Sequence, residues 1–70
     1  MLKYAKEYKM NLIKLLKKYR LENKLSQQKL AKMLKVHYTT ICEWESGKRK
    51  PNEIWAFHIE KFLKQKGVMK

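Results

Sequence analysis

Residues 26–51 constrain the fold most strongly, because they carry two short helical patterns separated by a break. The first pattern follows Ser26, whose hydroxyl can accept a backbone N–H of a first helical turn. The pattern fails over residues 35–37, resumes over residues 38–45 and stops at Gly47, which tolerates the left-handed conformation that ends helices. The apolar positions on the inward faces are Leu30, Ala31, Leu34, Ile41 and Trp44. These two helices and their tight turn form the unit around which the rest of the chain must pack.

The remaining sequence is typical of one all-α domain. Seventy residues with 44% hydrophobic content can form a single small core, and two Gly and one Pro offer little turn chemistry for strands. We predict an all-α fold over residues 1–70. Within it, residues 1–10 extend the first helix, residues 26–45 hold the two short helices, and residues 52–65 form the last helix.

The charge balance predicts a polyanionic partner. The formal net charge is +12 and the pI is near 10.0, which favours nucleic acid first and an anionic membrane surface second. The lysines of residues 1–10 have two interpretations: a solvated helix face, or an arm that contacts phosphate.

Several function classes are excluded by what the sequence lacks. One Cys cannot form an intramolecular disulfide or a Cys-based zinc site, and two isolated His do not make a metal site. We find no paired carboxylates, nucleophile–base arrangement or glycine-rich phosphate loop, so we predict no enzyme activity, no cofactor and no small-molecule ligand. No apolar run is long enough for a membrane span or a signal peptide, so we expect a cytoplasmic, nucleoid-associated protein.

The residue identities within positions 26–51 make the prediction of two short helices and a turn more specific. The segments LSQQKLA, VHYTTI and WESGKRKP resemble the Cro/C1-type (XRE) helix-turn-helix family of bacterial and phage regulators, over residues 12–63. The matching positions are Gln27, Ala31, Val36, Ile41, Glu45, Gly47 and Pro51. The resemblance implies a four- to five-helix bundle of the lambda-repressor-like type. It also implies a DNA-binding transcription regulator, commonly a repressor, whose second motif helix enters the major groove.

The resemblance places base-reading residues on the helix over residues 38–45. Tyr38, Thr39 and Glu43 occupy those positions, and Cys42 shares the same outward face. A threonine offers a hydroxyl and a methyl to a base edge, and a glutamate can accept from a cytosine amino group.

A second set of residues is expected to contact phosphate. The family position of Gln27 bonds a DNA phosphate at the start of the second helix, where free N–H groups favour an anion. We expect Gln28 to lie near the DNA backbone. His37 is expected to be either a turn residue or a hydrogen-bond donor to a DNA phosphate. The basic loop Lys48, Arg49 and Lys50 follows the recognition helix and is expected to clamp phosphates.

Three further expectations concern structure. The resemblance implies an ion pair between Arg20 and Glu45 that holds the first helix to the third. Lys35 stands where the family has Gly, so it must adopt a left-handed conformation at a cost of ~1 kcal/mol, unless the turn is relaxed.

For the core, we expect inward stripes of Leu12, Leu16 and Tyr19 in the first helix, and of Ile54, Phe57 or His58, and Phe62 in the last. Trp55 and Ile59 exceed what the core needs and suggest a dimer interface.

Our leading hypothesis is a sequence-specific regulator of double-stranded DNA; a homodimer is one option, and the sequence leaves the oligomeric state open. The alternatives are a DNA-binding antitoxin of a toxin–antitoxin pair, and a non-specific cationic binder of DNA or membrane surfaces. An antitoxin would need a disordered acidic or hydrophobic tail that binds a toxin, and we find no such tail in this sequence.

Overall fold

A computed structural model describes residues 5–69 of the chain. In this range the chain forms four α-helices and no strand, which confirms the all-α fold class. The helices are α1 (Lys6–Glu22), α2 (Gln27–Leu34), α3 (Tyr38–Ser46) and α4 (Glu53–Gln65).

Helix α1 begins well before the segment that resembles the family. It starts at Lys6, so residues 6–10 continue into the family-like part of the helix without a break. The part of the predicted extension over residues 1–4 lies outside the described residues. At the other end, the Asn23 side chain donates to the Tyr19 carbonyl at 2.9 Å, and Lys24 takes a left-handed φ of 54°. These contacts close the turn that leads into α2.

The two motif helices are bounded by local chemistry. The Ser26 hydroxyl accepts the Lys29 N–H at 3.0 Å and caps α2. Lys35 ends α2 with φ 61° and ψ 45°, the left-handed conformation that the absence of a glycine makes costly. His37 precedes α3 without a side-chain cap, and Gly47 ends α3 at φ 82°. The turn therefore keeps its tight geometry despite the unusual residue at position 35.

One core joins all four helices. Helix α2 packs on α3, while α1 packs on both α3 and α4. The buried side chains are Leu12, Ile13, Leu16, Leu30, Ala31, Ile41, Trp44, Ala56, Ile59 and Leu63. In α1 the buried stripe includes Ile13, which we did not predict, and leaves Tyr19 half-buried at its edge.

The predicted inward face of α4 is wrong at two of its three positions, while the third, Phe62, is half-buried and packs against the core. Ile54 and Phe57 are 67% and 46% exposed and His58 is exposed, whereas Ile59, which we considered surplus, is fully buried. The buried stripe is Ala56, Ile59 and Leu63. The prediction favoured larger side chains of a broad apolar face and passed over the small Ala56, which is fully buried.

Two aromatic contacts fix how α4 is rotated. Trp55 packs edge-on against Trp44 with ring centroids 5.9 Å apart, and Phe62 packs edge-on against Tyr19 at 5.5 Å. Both Trp55 and Phe62 are half-buried. These contacts turn the stripe of Ala56 and Ile59 inward and leave Ile54 in solvent.

Candidate nucleic-acid interface

The outward face of α3 is available to a partner. Ile41 and Trp44 anchor α3 in the core, which turns its other side away from the bundle. Tyr38 is 47% exposed and Thr39 is exposed at the start of the helix. Cys42 and Glu43, one turn further on, are half-buried. The four residues expected to read bases therefore share one side of α3, with the first two the most accessible.

The start of α2 lies against this face of α3. The Cys42 thiol donates to the Gln27 Oε1 at 3.4 Å, and the Gln27 Nε2 donates to the Glu45 Oε1 at 3.0 Å. The expectation for Gln27 was a phosphate contact alone, and these two bonds to α3 were not foreseen. Because a primary amide has two N–H donors, one remains for another acceptor.

An ion pair holds α1 to the end of α3. The Arg20 guanidinium donates to both Glu45 carboxylate oxygens, at 2.8 Å from Nε and 2.9 Å from Nη2. Arg20 also donates to the Leu25 carbonyl at 3.0 Å. The hydrogen bond to Glu45 raises the pKa of Arg20. Since Glu45 also accepts from Gln27, one carboxylate orients α1, α3 and the first residue of α2.

The first turn of α2 presents free backbone donors. Leu30 N–H makes the first intrahelical bond, to the Ser26 carbonyl, and the Ser26 hydroxyl occupies Lys29 N–H. The N–H groups of Gln27 and Gln28 come before these bonds and have no helical acceptor. Gln28 is exposed, as is His37 at the start of α3. The two helix starts can therefore offer donors to an anion.

The basic loop is exposed, but it is not a uniform row of free cations. The Arg49 Nε lies 3.5 Å from the Glu43 Oε1, and the Arg49 N–H donates to the Glu43 carbonyl at 3.2 Å. Sequence reasoning assigned Glu43 to bases and Arg49 to phosphates, and it did not foresee this pair. The pair directs the loop back along α3 and partly neutralises the carboxylate on the recognition face.

Lys50, at the end of this loop, lies beside α1. Contact with the Lys6 ammonium, loss of hydration and the nearby charges of Lys6 and Lys9 lower the pKa of Lys50. Lys9 itself forms an ion pair with Glu53 at 3.0 Å. The sequence had left two interpretations open for the lysines of the extension, a solvated helix face and an arm that contacts phosphate. The spacing of Lys6 and Lys9 was the only feature of the sequence that bore on this choice.

At the start of α3, Tyr38 lies near Cys42. Hydrogen bonding with the Cys42 thiol raises the pKa of Tyr38. Cys42 is in turn connected through Gln27 to Glu45, so polar contacts run from the outward face of α3 to the ion pair near the core.

The described part of the chain has few other candidate sites. No group of three His, Cys, Asp or Glu side chains within residues 5–69 could hold a metal ion. No helix in the same range is long and apolar enough to cross a membrane.

Comparison with known protein families gives one match. A family model described as helix-turn-helix matches residues 16–66, which is more than half of the chain and includes α2, α3 and all of α4. No curated protein and no solved structure matches the chain.

Proposed function

We propose that this chain, which belongs to the Cro/C1-type (XRE) helix-turn-helix family of DNA-binding regulators, is a sequence-specific repressor that binds double-stranded DNA through α3. The observation that carries the proposal is the contact between Gln27 and Cys42. It joins the anion-attracting start of α2 to the exposed side of α3. This places a helix start that favours a phosphate beside the helix that would enter the major groove.

Base readout is assigned to the outward residues of α3. Thr39 offers a hydroxyl and a methyl group, and Tyr38 offers a hydroxyl at the most exposed end of the helix. Glu43 accepts from a cytosine amino group when Arg49 releases it, so it discriminates among sequences more than it adds affinity. Cys42 is small enough to permit close approach of the helix to the base edges.

Affinity is assigned to the residues around α3. Gln27 and Gln28 donate to one phosphate at the start of α2, and His37 donates to a neighbouring phosphate. Lys48, Arg49 and Lys50 hold the backbone after α3. Residues 36–47 contain two Glu and no Lys or Arg. Cationic residues therefore flank the reading helix rather than occupy it, and affinity depends on counterion release.

The proposed regulatory mechanism is occupancy of DNA by two copies of the chain. A symmetric dimer would place two α3 helices about 34 Å apart on one face of the duplex. The exposed Ile54 and Phe57 of α4 supply apolar surface that such a dimer could cover. The expected operator is a palindrome, and a bound operator excludes polymerase.

Selection of binding sites from random duplex DNA at physiological salt tests this proposal. An enriched palindrome with half-sites one helical turn apart would support specific, dimeric binding. A single enriched half-site would support specific binding and refute the dimer. Salt-sensitive binding without enrichment would refute sequence specificity.

A matched pair of variants separates phosphate contact from overall charge. One variant carries Lys48→Ala and Lys50→Ala, and its control carries Lys17→Ala and Lys18→Ala on the exposed side of α1. Both lose the same formal charge. Only the loop variant is expected to weaken binding to all sequences and to flatten the dependence on salt, by about 0.9 in log–log slope per lost phosphate contact. Equal effects would remove the loop from the phosphate contacts.

A further inference from the structure

The first turns of α1 and the basic loop after α3 meet on one side of the bundle. Met10 and Lys14 of α1 line the same cavity, of about 160 Å³, as Arg49 and Lys50 of the loop. Lys6 lies one turn before Met10 on the same face of α1, and its positive charge is close enough to lower the pKa of Lys50. The helical extension is therefore placed beside a loop that the proposed function assigns to DNA phosphates.

The charges at this junction are unbalanced. Lys9 has a carboxylate partner in Glu53, at 3.0 Å. Within residues 5–69, neither Lys6 nor Lys50 has a carboxylate in salt-bridge contact. Both are exposed, so neither is held there by burial. Two adjacent ammonium groups repel each other, and an anion between them would convert that repulsion into two attractions.

We propose that Lys6 and Lys50 together bind one backbone phosphate of the DNA, and thus that the extension of α1 is part of the DNA interface. The inference rests on the proposed function. A lysine ammonium is a compact point charge with three rotatable donors, and two of them can approach one phosphate from different sides. DNA is the favoured source of this phosphate because Lys50 belongs to the loop after α3, which the proposed function assigns to the DNA backbone.

The extension is also outside the segment shared with the family. The family match begins at residue 16, whereas Lys6 lies ten positions earlier in the same helix. Lys6 therefore lies outside the segment that the family model matches. Because α1 is continuous from Lys6 and pinned to α3 through Arg20, Lys6 is held on a rigid support rather than on a flexible arm.

The test compares Lys6→Gln, Lys50→Gln and the double variant with Lys18→Gln, on the selected DNA site over a range of salt concentrations. Lys18 is an exposed lysine near the other end of α1, beside Val68, and its replacement removes the same charge. Because either lysine alone still neutralises the shared phosphate, each single variant at the junction is expected to weaken binding modestly more than Lys18→Gln, with little change in the salt slope. The double variant loses the phosphate contact, so it is expected to lower the salt slope by about 0.9 and to weaken binding about fivefold at physiological salt.

Neutral methylphosphonate linkages, placed one at a time along the site, locate the contact. One linkage is expected to weaken binding of the wild type and of the Lys18 variant, while leaving the double variant Lys6→Gln with Lys50→Gln unaffected. Circular dichroism confirms that each variant is folded.

The outcomes separate the inference from the function on which it rests. Specific wild-type binding with Lys6→Gln equal to Lys18→Gln would refute the shared phosphate site and leave the proposed function standing. Loss of binding by Lys6→Gln to phosphatidylglycerol vesicles but not to DNA would assign the pair to lipid and overturn the proposal. Absence of wild-type binding to any duplex would refute the proposed function itself.

Discussion

The ion pair between Arg20 and Glu45 gives the sharpest prediction about stability. Both side chains are largely withdrawn from water, at 13% and 6% exposure. Glu45→Leu would leave the guanidinium without its carboxylate, and would also remove the acceptor of the Gln27 amide. We expect a loss of ~3 kcal/mol in the free energy of unfolding, at the lower end for a buried pair because solvent reaches part of Arg20. In a domain of this size the loss lowers the melting temperature by roughly 12–24 °C.

A double-mutant cycle tests the cause of that loss. Arg20→Met is expected to cost about as much as Glu45→Leu, because it leaves a nearly buried carboxylate unpaired. The double variant replaces the pair with apolar groups of similar size, so its loss should be smaller than either single loss, about 2 kcal/mol. What remains is the unmet Leu25 carbonyl and Gln27 amide.

Urea unfolding followed by circular dichroism measures these differences. A single small core supplies only ~3–5 kcal/mol, so the titrations need a stabilising osmolyte to keep the variants folded at zero urea. Glu22→Leu, at the exposed end of α1, is the control and should change stability by less than about 0.5 kcal/mol. Single losses that simply add in the double variant would refute the coupling of Arg20 to Glu45.

Three further predictions test the turn, the recognition face and the lysine junction. Lys35→Gly should raise the free energy of unfolding by roughly 0.5 kcal/mol, because relief of the left-handed backbone outweighs the added entropy of the unfolded chain; a lower melting temperature would contradict this. Glu43→Ala should change the sequence preference more than the affinity, since it also frees Arg49 for phosphate; an unchanged motif in site selection would remove Glu43 from the base readers. Lys6→Gln should raise the pKa of Lys50, because a neutral amide no longer opposes its protonation. NMR titration of the lysine side chains measures the shift, and an unchanged pKa would show that the two ammonium groups are not close to each other.

Much of the fold was predictable because it depends on interactions between near neighbours in the chain. The cap at Ser26 and the end of α3 at Gly47 follow from groups within four residues of each other. The left-handed Lys35 was expected from the family resemblance, which places a glycine there, with a relaxed turn as the alternative. Capping and turn geometry are local, so they can be inferred before any tertiary contact is known.

The inward face of α4 could not be chosen in the same way. Its apolar residues cover too much of the helix for periodicity to identify one side, and Ile54, Phe57 and Ile59 are similar in hydrophobicity. The choice depends on how the helix is rotated in the bundle, which the contacts of Trp55 with Trp44 and of Phe62 with Tyr19 determine. Both contacts join α4 to another helix.

In the candidate site, too, some features follow from the sequence and others only from tertiary packing. The sequence by itself determined which residues lie on α3 and that cations flank it, and the family resemblance implied the pairing of Arg20 with Glu45. Only the tertiary structure decided that Gln27 bonds to α3, that Arg49 returns to Glu43, and that Lys50 meets the extension of α1. Helical periodicity assigns a side chain to a face, but the partner opposite that face is set by the packing of distant segments.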